Sequence, residues 1–464
     1  MTIHFKTLSE VSGLIQSRQI SCVELTTLML DRIGSLDSTL KSYATVLPEA
    51  ALASAKQADK ELDNGQYHGP LHGIPMAVKD LCFTQGIRTM AGTKVYEDFI
   101  PDHDATVITR LKQAGVILLG KLNLSEAGMP GYHPDFEIPV NPWDQNVWTG
   151  TSSSGSGVAT AAGLAFATLG TDTAGSIRFP AACCGVVGLK PTFGRVSRYG
   201  VFGMTQWMDH VGPLTRCVDD AALVLQVIAG HDPQDVSTLL DPVEVILPKP
   251  HHDLIGVRIG VDENFISQDT DSEITGSVMT ALAVLEKCGA DLVRVKMPDV
   301  KDYLSAWAKL CGAETILAHE KTYPSRRDDY GPCFRDWLDY GATVTCLDYL
   351  KADKYRAECI GKLREVFADI DVLATPTMVQ PPHPVTQTML YGPITETLDK
   401  SAIKFTAIFN FNGFPALSIP CGFNRAGLPL SLQLVGHALS ESLLLQVGRV
   451  YEEQTQWHVQ HPAI

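Results

Sequence analysis

The sequence has no run of about 18 apolar residues, the length that a helix needs to span a bilayer, and its first ten residues are too polar for a secretory signal. We therefore expect a cytoplasmic protein without a membrane partner. Basic residues are also scarce, with 37 Lys and Arg against 52 Asp and Glu, and neither sign forms a long run. A net charge of −15 repels the phosphates of nucleic acids, so no nucleic acid partner is expected.

Paired cysteines and the usual metal-binding spacings are missing as well. The eleven cysteines are scattered without a C-x-x-C pair, which is typical of buried free thiols in a reducing compartment. None of the fourteen histidines belongs to an H-E-x-x-H motif. The sequence therefore predicts an activity that needs neither a metal nor another cofactor.

Hydroxyl side chains and glycines are concentrated in residues 150–157, GTSSSGSG. This composition favours exposed backbone amides over packed side chains. The small apolar residues that follow predict a buried helix over 156–167, with the hydroxyl cluster at its N-terminus. The G-x-x-x-x-G spacing also resembles a phosphate-binding loop, but Ser156 stands where such a loop needs lysine, so nothing would reach the outer phosphates.

A second segment, GTDTAGSIR at 170–178, places Ser176 directly after small residues whose amides can point at one spot. Such amides can form an oxyanion hole. No histidine lies in either segment, so a base must come from elsewhere. Lys79 ends the apolar run 74–78, which predicts a buried strand, and a desolvated lysine can act as a base. A lysine that reaches from a strand end to solvent is the structural alternative.

Several motifs together resemble the amidase signature family of Ser-cisSer-Lys hydrolases. They occur in the family's order: GIPMAVKD (73–80), GKLNLSE (120–126), NPWD (141–144), the serine-rich loop, GTDTAGSIRFPA (170–181), GLKPTFGRVSRYG (188–200), FNGFPALSIP (411–420) and GLPLSLQLVG (427–436). The resemblance covers most of the chain, and only about 240–400 lacks a matching segment.

The resemblance implies a role for each member of the constellation. Ser176 would be the nucleophile, Ser152 the cis-serine that relays protons, and Lys79 the base. The implied oxyanion-hole amides are those of Thr173, Ala174, Gly175 and Ser176. The implied supporting residues are Ser153, Asp172 and Arg178. Arg178 could bind a substrate carboxylate, although a structural ion pair with Asp172 is the safer interpretation. Thr151 departs from the family's usual glycine before the cis-serine.

The fold implied by the resemblance is α/β: one large domain, 1–464, with a mixed central sheet of many strands and helices on both faces. We divide it into an N-terminal helical layer (1–70), a signature core (71–240), a variable substrate-shaping region (241–400) and a C-terminal core segment (401–464). Local patterns predict a helix over 104–115, with Asp104 as the candidate cap, then a strand over 116–120. The proline-rich stretch 242–252 predicts a linker.

Candidate substrate contacts come from apolar side chains near the catalytic segments. The irregular stretch 128–148 predicts a pocket wall, and the proline-rich loop 376–393 could lie over it. The candidate lining residues are Met129, Tyr132, Phe136, Phe202 and Trp207. They favour a substrate with an apolar or aromatic portion beside the scissile bond.

The predicted function is hydrolysis of the C–N bond of a small amide or carbamate, with esters as a further substrate type, by a monomer or homodimer. One alternative is the glutaminase subunit of a tRNA-dependent amidotransferase. The segment MPGYHPDFEIPV before NPWD differs from the Ser-Thr-Glu-Asn type motif typical of that subunit, which argues against it. A non-catalytic binding protein on the same fold is the other alternative, and the filled catalytic positions disfavour it.

Overall fold

One mixed β-sheet runs through the computed structural model, which describes residues 3–243, 253–397 and 400–464. Within those ranges it has eleven strands: β1 Tyr43–Val46, β2 Pro75–Lys79, β3 Ile117–Leu122, β4 Ala167–Asp172, β5 Val187–Lys190, β6 His210–Thr215, β7 Arg258–Val261, β8 Asp291–Arg294, β9 Val372–Pro376, β10 Ala416–Phe423 and β11 Pro429–Gly436. Their order across the sheet is β1-β3-β2-β4-β6-β5-β10-β11-β9-β7-β8. Neighbours in the sheet therefore come from distant parts of the sequence.

Helices connect and cover these strands. The α-helices are α1 Leu8–Gln16, α2 Cys22–Leu40, α3 Pro48–Asp63, α4 Thr106–Gln113, α5 Ser154–Ala161, α6 Arg178–Cys184, α7 Val218–Ile228, α8 Glu263–Ser267, α9 Ser272–Lys287, α10 Lys301–Ala318, α11 Pro332–Thr343, α12 Cys346–Val366, α13 Gln387–Tyr391, α14 Ile394–Thr397, α15 Ile408–Phe411 and α16 Glu441–Gln454. Short 3-10 turns occupy Ile3–Phe5, Lys94–Tyr96, Glu126–Gly128, Arg327–Asp329, Phe367–Asp369 and Lys400–Ile403. No helix in the described ranges is both long and apolar enough to cross a membrane.

Successive residues of the central strands pack into two different hydrophobic clusters. In β11, Leu434 joins the cluster that contains side chains of α9 and α16, whereas Val435 joins the cluster built from α10, α11 and α12. Side chains alternate between the two faces of a strand, so helices cover both faces of this sheet. The predicted fold class, a single α/β domain with helices on both faces, is confirmed.

Three local predictions need correction. Residues 1–70 are not purely helical, because β1 pairs with β3 in antiparallel fashion, and a four-residue strand is too short for its periodicity to stand out. The helix predicted over 156–167 ends at Ala161, since Gly163 takes a left-handed φ of +65° and leads into β4. Asp104 does not cap α4, because its carboxylate accepts from the Gln85 amide and Ala105 is the N-cap residue.

Other expectations agree with the structure. The parallel strands β2 and β3 are joined through α4, which completes a βαβ unit. The predicted loop 376–393 is present but contains α13. All eleven cysteines are free, and nine of them are buried. Most of the predicted linker 242–252 lies outside the described residues.

Candidate active site

Lys79, the last residue of β2, is fully buried and points at hydroxyl groups. Its Nζ lies 2.7 Å from Ser152 Oγ and 2.8 Å from Thr171 Oγ1. Burial disfavours the charged ammonium and lowers the pKa of Lys79 to about 7, despite the opposing attraction of Asp172. A substantial fraction of this amine is therefore neutral at physiological pH and able to accept a proton.

Asp80, the next residue, does not hold the proton on Lys79. Its carboxylate pairs with the buried Lys121, whose Nζ is 3.1 Å away, and accepts a hydrogen bond from the Met90 amide at 2.8 Å. Successive side chains of a strand point to opposite faces, which separates the two neighbours. The amine of Lys79 is therefore left to Ser152 and Thr171.

The serine-rich loop places two hydroxyls where they can act together with Lys79. The peptide bond between Thr151 and Ser152 is cis. The Ser153 hydroxyl donates to the carbonyl of Thr171 at 3.1 Å and accepts from its amide at 3.2 Å, which fastens the loop to β4. The Ser153 amide in turn donates to the carbonyl of Ser176 at 3.2 Å. These bonds bring Ser176 beside Ser152, although the two residues are 24 positions apart in the sequence.

Ser176 lies in the turn between β4 and α6 and is the partly exposed member of the three. Within the described part of the chain its hydroxyl makes no hydrogen bond to Ser152. Catalytic hydrogen bonds are often long in ligand-free enzymes and tighten when substrate is present. The arrangement can supply a base, a relay and an accessible nucleophile.

The amides expected to form the oxyanion hole are not equivalent. The Gly175 amide donates to Asp172 Oδ1 at 2.7 Å, so it is engaged within the protein, and its place in the hole stays a prediction. Asp172 is buried and captures that donor because it lies only three residues away. The amides of Thr173, Ala174 and Ser176 have no hydrogen-bond partner within the described residues and remain free for an oxyanion.

Arg178 and Asp172 form the expected ion pair, with both side chains fully buried. Arg178 donates to both carboxylate oxygens, at 2.9 and 2.8 Å, and also to Gln433 Oε1 at 2.8 Å, Asn410 Oδ1 at 2.7 Å and the Thr406 carbonyl at 3.2 Å. Burial alone would raise the pKa of Asp172, but the guanidinium of Arg178 holds it well below its usual range. These bonds occupy the guanidinium, which supports the turn that carries Ser176.

Two cavities adjoin the site through residues that neighbour the catalytic side chains. The first, which we call the polar cavity, has a volume of about 270 Å³ and includes Gly128, Thr171, Thr173, Met204 and Asp209 in its wall. The second, which we call the apolar cavity, has a volume of about 230 Å³. Its wall includes Tyr132, Trp148, Thr151, Phe179, Met378, His383, Met389 and Ile403. One cavity therefore lies on the Thr171 side of the catalytic residues and the other on the Thr151 side.

Two of the five predicted substrate contacts line a cavity beside the site, and the other three do not. Tyr132 lines the apolar cavity and Phe202 lines the polar cavity. Met129 is buried but belongs to neither wall. Phe136 lines a separate surface hollow, and Trp207 is 46% exposed. Proximity in sequence to a catalytic motif could not distinguish these cases, because a loop can present each side chain in a different direction.

Sequence reasoning missed Thr171, which shares the amine of Lys79 with Ser152. The available signal was strand alternation, since Thr171 and Thr173 lie on the same face at the end of β4. It also missed Asn410 and Gln433, which bind Arg178 from segments more than 200 residues away. No local pattern marks residues at such a distance.

Three potential metal ligands lie together outside the predicted motifs: Glu61 is partly exposed, His68 is exposed and His72 is fully buried. Nε2 of His68 and Nε2 of His72 are each 3.3 Å from Glu61 Oε2. The Nδ1 atom of His72 accepts a hydrogen bond from the His68 amide, so the ring proton of neutral His72 is on Nε2 and faces Glu61. That tautomer is unsuited to bind a metal through Nε2, so we assign no metal to this cluster.

Comparison with known proteins gives consistent matches over nearly the whole chain. The Amidase family model matches residues 24–445. AmiD of Mycobacterium tuberculosis, a protein assigned as an amidase, is 43% identical over 463 residues, covering 98% of this chain and 96% of the relative. A glutamyl-tRNA(Gln) amidotransferase subunit of Chloroflexus aggregans is 37% identical and covers 99% of this chain and 98% of its own length. The solved structure of 6-aminohexanoate cyclic dimer hydrolase with substrate is similar, with a TM-score of 0.88, 27% identity, and coverage of 100% of this chain and 99% of that one.

Proposed function

The chain belongs to the amidase family and acts on amide C–N bonds, and on this premise we propose that it cleaves small neutral amides and carbamates through Ser176, Ser152 and Lys79. The proposal rests mainly on one observation. A buried lysine of lowered pKa lies 2.7 Å from the hydroxyl of Ser152, and no carboxylate of the described residues is bound to its amine. This is the arrangement that a proton relay to a serine nucleophile requires.

In the first half-reaction, neutral Lys79 takes the proton of Ser152 while Ser152 takes the proton of Ser176. Ser176 Oγ attacks the carbonyl carbon, and the free amides of Thr173 and Ala174, with that of Ser176 itself, stabilise the oxyanion. Ser152 then donates its proton to the substrate nitrogen, the C–N bond breaks and the amine leaves. Lys79 returns its proton to Ser152 in the same step.

The second half-reaction uses the same groups on water. Ser152 and Lys79 remove a proton from a water molecule that attacks the acyl-enzyme, and Ser176 leaves with a proton from Ser152. No step requires an external cofactor. Esters and carbamates pass through the same type of acyl-enzyme, so they are included among the proposed substrates.

The character of the substrate follows from the charges available to bind it. The donors of Arg178 are occupied by Asp172, Gln433 and Asn410, which leaves none for a substrate carboxylate. Among the described residues, the wall of the apolar cavity contains no Asp, Glu, Lys or Arg. A buried charge without a partner is costly, so an uncharged acyl group is favoured.

The same observation weighs against a glutaminase, although several relatives are subunits of a glutamyl-tRNA(Gln) amidotransferase. Glutamine carries an ammonium and a carboxylate beside its amide-bearing side chain. Among the described residues, the wall of the apolar cavity provides no charged partner for either group. We therefore favour hydrolysis of free small molecules by a monomer or homodimer.

A substrate panel tests the proposal. Hexanamide, a hexanoyl anilide, an aryl carbamate and a dicarboxylic monoamide would be compared for kcat/KM with purified protein and with its Ser176→Ala variant. We expect turnover of the neutral substrates, little of the monoamide, and loss of activity and of serine-directed phosphonate labelling in Ser176→Ala. Preference for the dicarboxylic monoamide would contradict the neutral-substrate assignment. Undiminished turnover by Ser176→Ala would contradict the mechanism.

A further inference from the structure

We infer that the polar cavity binds the amine half of the substrate, so the enzyme acts on N-substituted amides whose amine is neutral or cationic. This inference rests on the proposed function and names its substrate more closely. It follows from the positions of the two cavities relative to Ser152, and from the charges in the wall of the polar cavity.

Residues of the polar cavity touch the proton relay directly. Thr171, in its wall, shares the amine of Lys79 with Ser152. Gly128, also in the wall, is so close to the relay that an added Cβ would lie 3.8 Å from Ser152 Oγ and 3.1 Å from Met204 Cε. The polar cavity therefore opens beside the hydroxyl that handles the proton of the leaving group.

The direction of the substrate follows from the chemistry of bond cleavage. Ser152 Oγ must reach the substrate nitrogen to protonate it, so the nitrogen lies on the Gly128 side of the reacting carbon. In the tetrahedral intermediate the acyl substituent projects away from the nitrogen. The cavity in that direction is the apolar one, whose wall includes Thr151 and Phe179. The acyl group and the amine group therefore occupy different cavities.

The wall of the polar cavity selects the kind of amine. Leu81, Val201, Phe202 and Met204 provide an apolar surface for an alkyl or aryl substituent. The wall also holds two carboxylates, Asp209 and Asp235, against one guanidinium, that of Arg198, so its formal charge is negative.

Hydrogen bonds and an ion pair within the protein already engage these charged groups. Asp209 accepts hydrogen bonds from the Thr173 and Thr205 hydroxyls at 2.7 and 2.8 Å and from two backbone amides. Arg198 lies 3.8 Å from Asp235. The guanidinium also donates to the Thr205 carbonyl and the Ser237 hydroxyl. In the described wall two carboxylates face this single guanidinium, so an anionic amine such as an amino acid with a free carboxylate meets net repulsion, whereas a neutral or cationic amine does not.

The chain offers a matched pair of residues for the test. Met204 lines the polar cavity and Met378 the apolar one. They are 5% and 7% exposed, and the sulfur of each lies 3.5 Å from the sulfur of a buried cysteine. Met204→Ala and Met378→Ala therefore remove the same side chain from similar surroundings, one on each side of the scissile bond.

The substrates share a hexanoyl group and differ in the amine: hexanamide, hexanoyl 4-nitroanilide, N-(2-aminoethyl)hexanamide and hexanoylglycine. Acetyl 4-nitroanilide varies the acyl group instead. In Met204→Ala we expect the kcat/KM ratio of nitroanilide to hexanamide to fall about tenfold, because only the substituted amine fills the polar cavity. In Met378→Ala we expect that ratio to stay within twofold, while the ratio of hexanoyl to acetyl nitroanilide falls about tenfold. Wild-type enzyme should prefer the aminoethyl amide to hexanoylglycine.

The inference would be overturned if Met204→Ala lowered the hexanoyl-to-acetyl ratio while Met378→Ala lowered the nitroanilide-to-hexanamide ratio. It would also be overturned if Met204→Ala changed neither ratio. Hydrolysis of hexanoylglycine as fast as that of the aminoethyl amide would overturn it as well. If urea denaturation shows that Met204→Ala is not folded, Phe202→Leu tests the same wall instead. Failure of the proposed function is distinguishable, because it would appear as turnover that survives Ser176→Ala rather than as a changed ratio.

Discussion

Replacement of Lys79 by methionine should lower turnover by orders of magnitude and yet stabilise the fold at neutral pH. The folded-state pKa of about 7 lies below the ordinary value of 10.5, so between these values the unfolded chain binds more protons than the folded one. Stability therefore rises with pH across this window. At about 1.36 kcal/mol per pKa unit, the buried amine costs about 4 kcal/mol at pH 7 and about 1 kcal/mol at pH 10.

Methionine removes this cost but leaves two hydroxyls without their partner. Ser152 and Thr171 each lose a hydrogen bond to Lys79, at about 1 kcal/mol apiece. The net effect of Lys79→Met is then a gain of about 2 kcal/mol at pH 7 and a loss of about 1 kcal/mol at pH 10. Loss of the base should also lower kcat/KM by about 10² to 10⁴.

Urea denaturation at pH 7 and pH 10, followed by tryptophan fluorescence, measures the free energy of unfolding of both proteins. Lys351→Met, at an exposed position of α12, is the control and should change stability by less than about 0.5 kcal/mol at either pH. In wild-type enzyme, kcat/KM should rise through about pH 7 and stay high on the alkaline side. A variant equally destabilised at both pH values, or one that retains wild-type turnover, would refute this reasoning about Lys79.

Three further outcomes can be measured. Arg178→Met should lower the free energy of unfolding by about 3 to 5 kcal/mol, because it leaves a buried carboxylate unpaired. Arg258→Met breaks a similar 2.8 Å pair at the surface and should lower the free energy of unfolding by less than about 1 kcal/mol. Equal losses of stability in the two variants would contradict the idea that burial makes the Arg178 pair more costly to break. Ser152→Ala should severely reduce turnover but leave slow phosphonate labelling of Ser176, and complete loss of labelling would contradict a relay role. Dialysis against a chelator should leave turnover unchanged, and activity restored by added zinc would contradict the serine mechanism.

The sequence was sufficient to predict the fold class, because several motifs in a fixed order resemble one family. It also identified Lys79 as a buried strand end, since the apolar run before it leaves no exposed face. Short elements were harder to predict. β1 spans four residues and exists because β3 pairs with it, and α5 stops at Ala161 because the chain must turn at Gly163 into β4. Local propensity carries little information about such tertiary constraints.

Within the site, the sequence by itself determined which groups are present: two serines, a lysine, a run of small residues and an arginine. Only the tertiary structure decided how they are used. It directed Asp80 to Lys121 and Lys79 to Ser152 and Thr171, and it engaged the Gly175 amide with Asp172. It also separated the polar cavity from the apolar one. The physical reason is that the sheet order joins strands distant in sequence, so the partners and the burial that set each group's chemistry come from elsewhere in the chain.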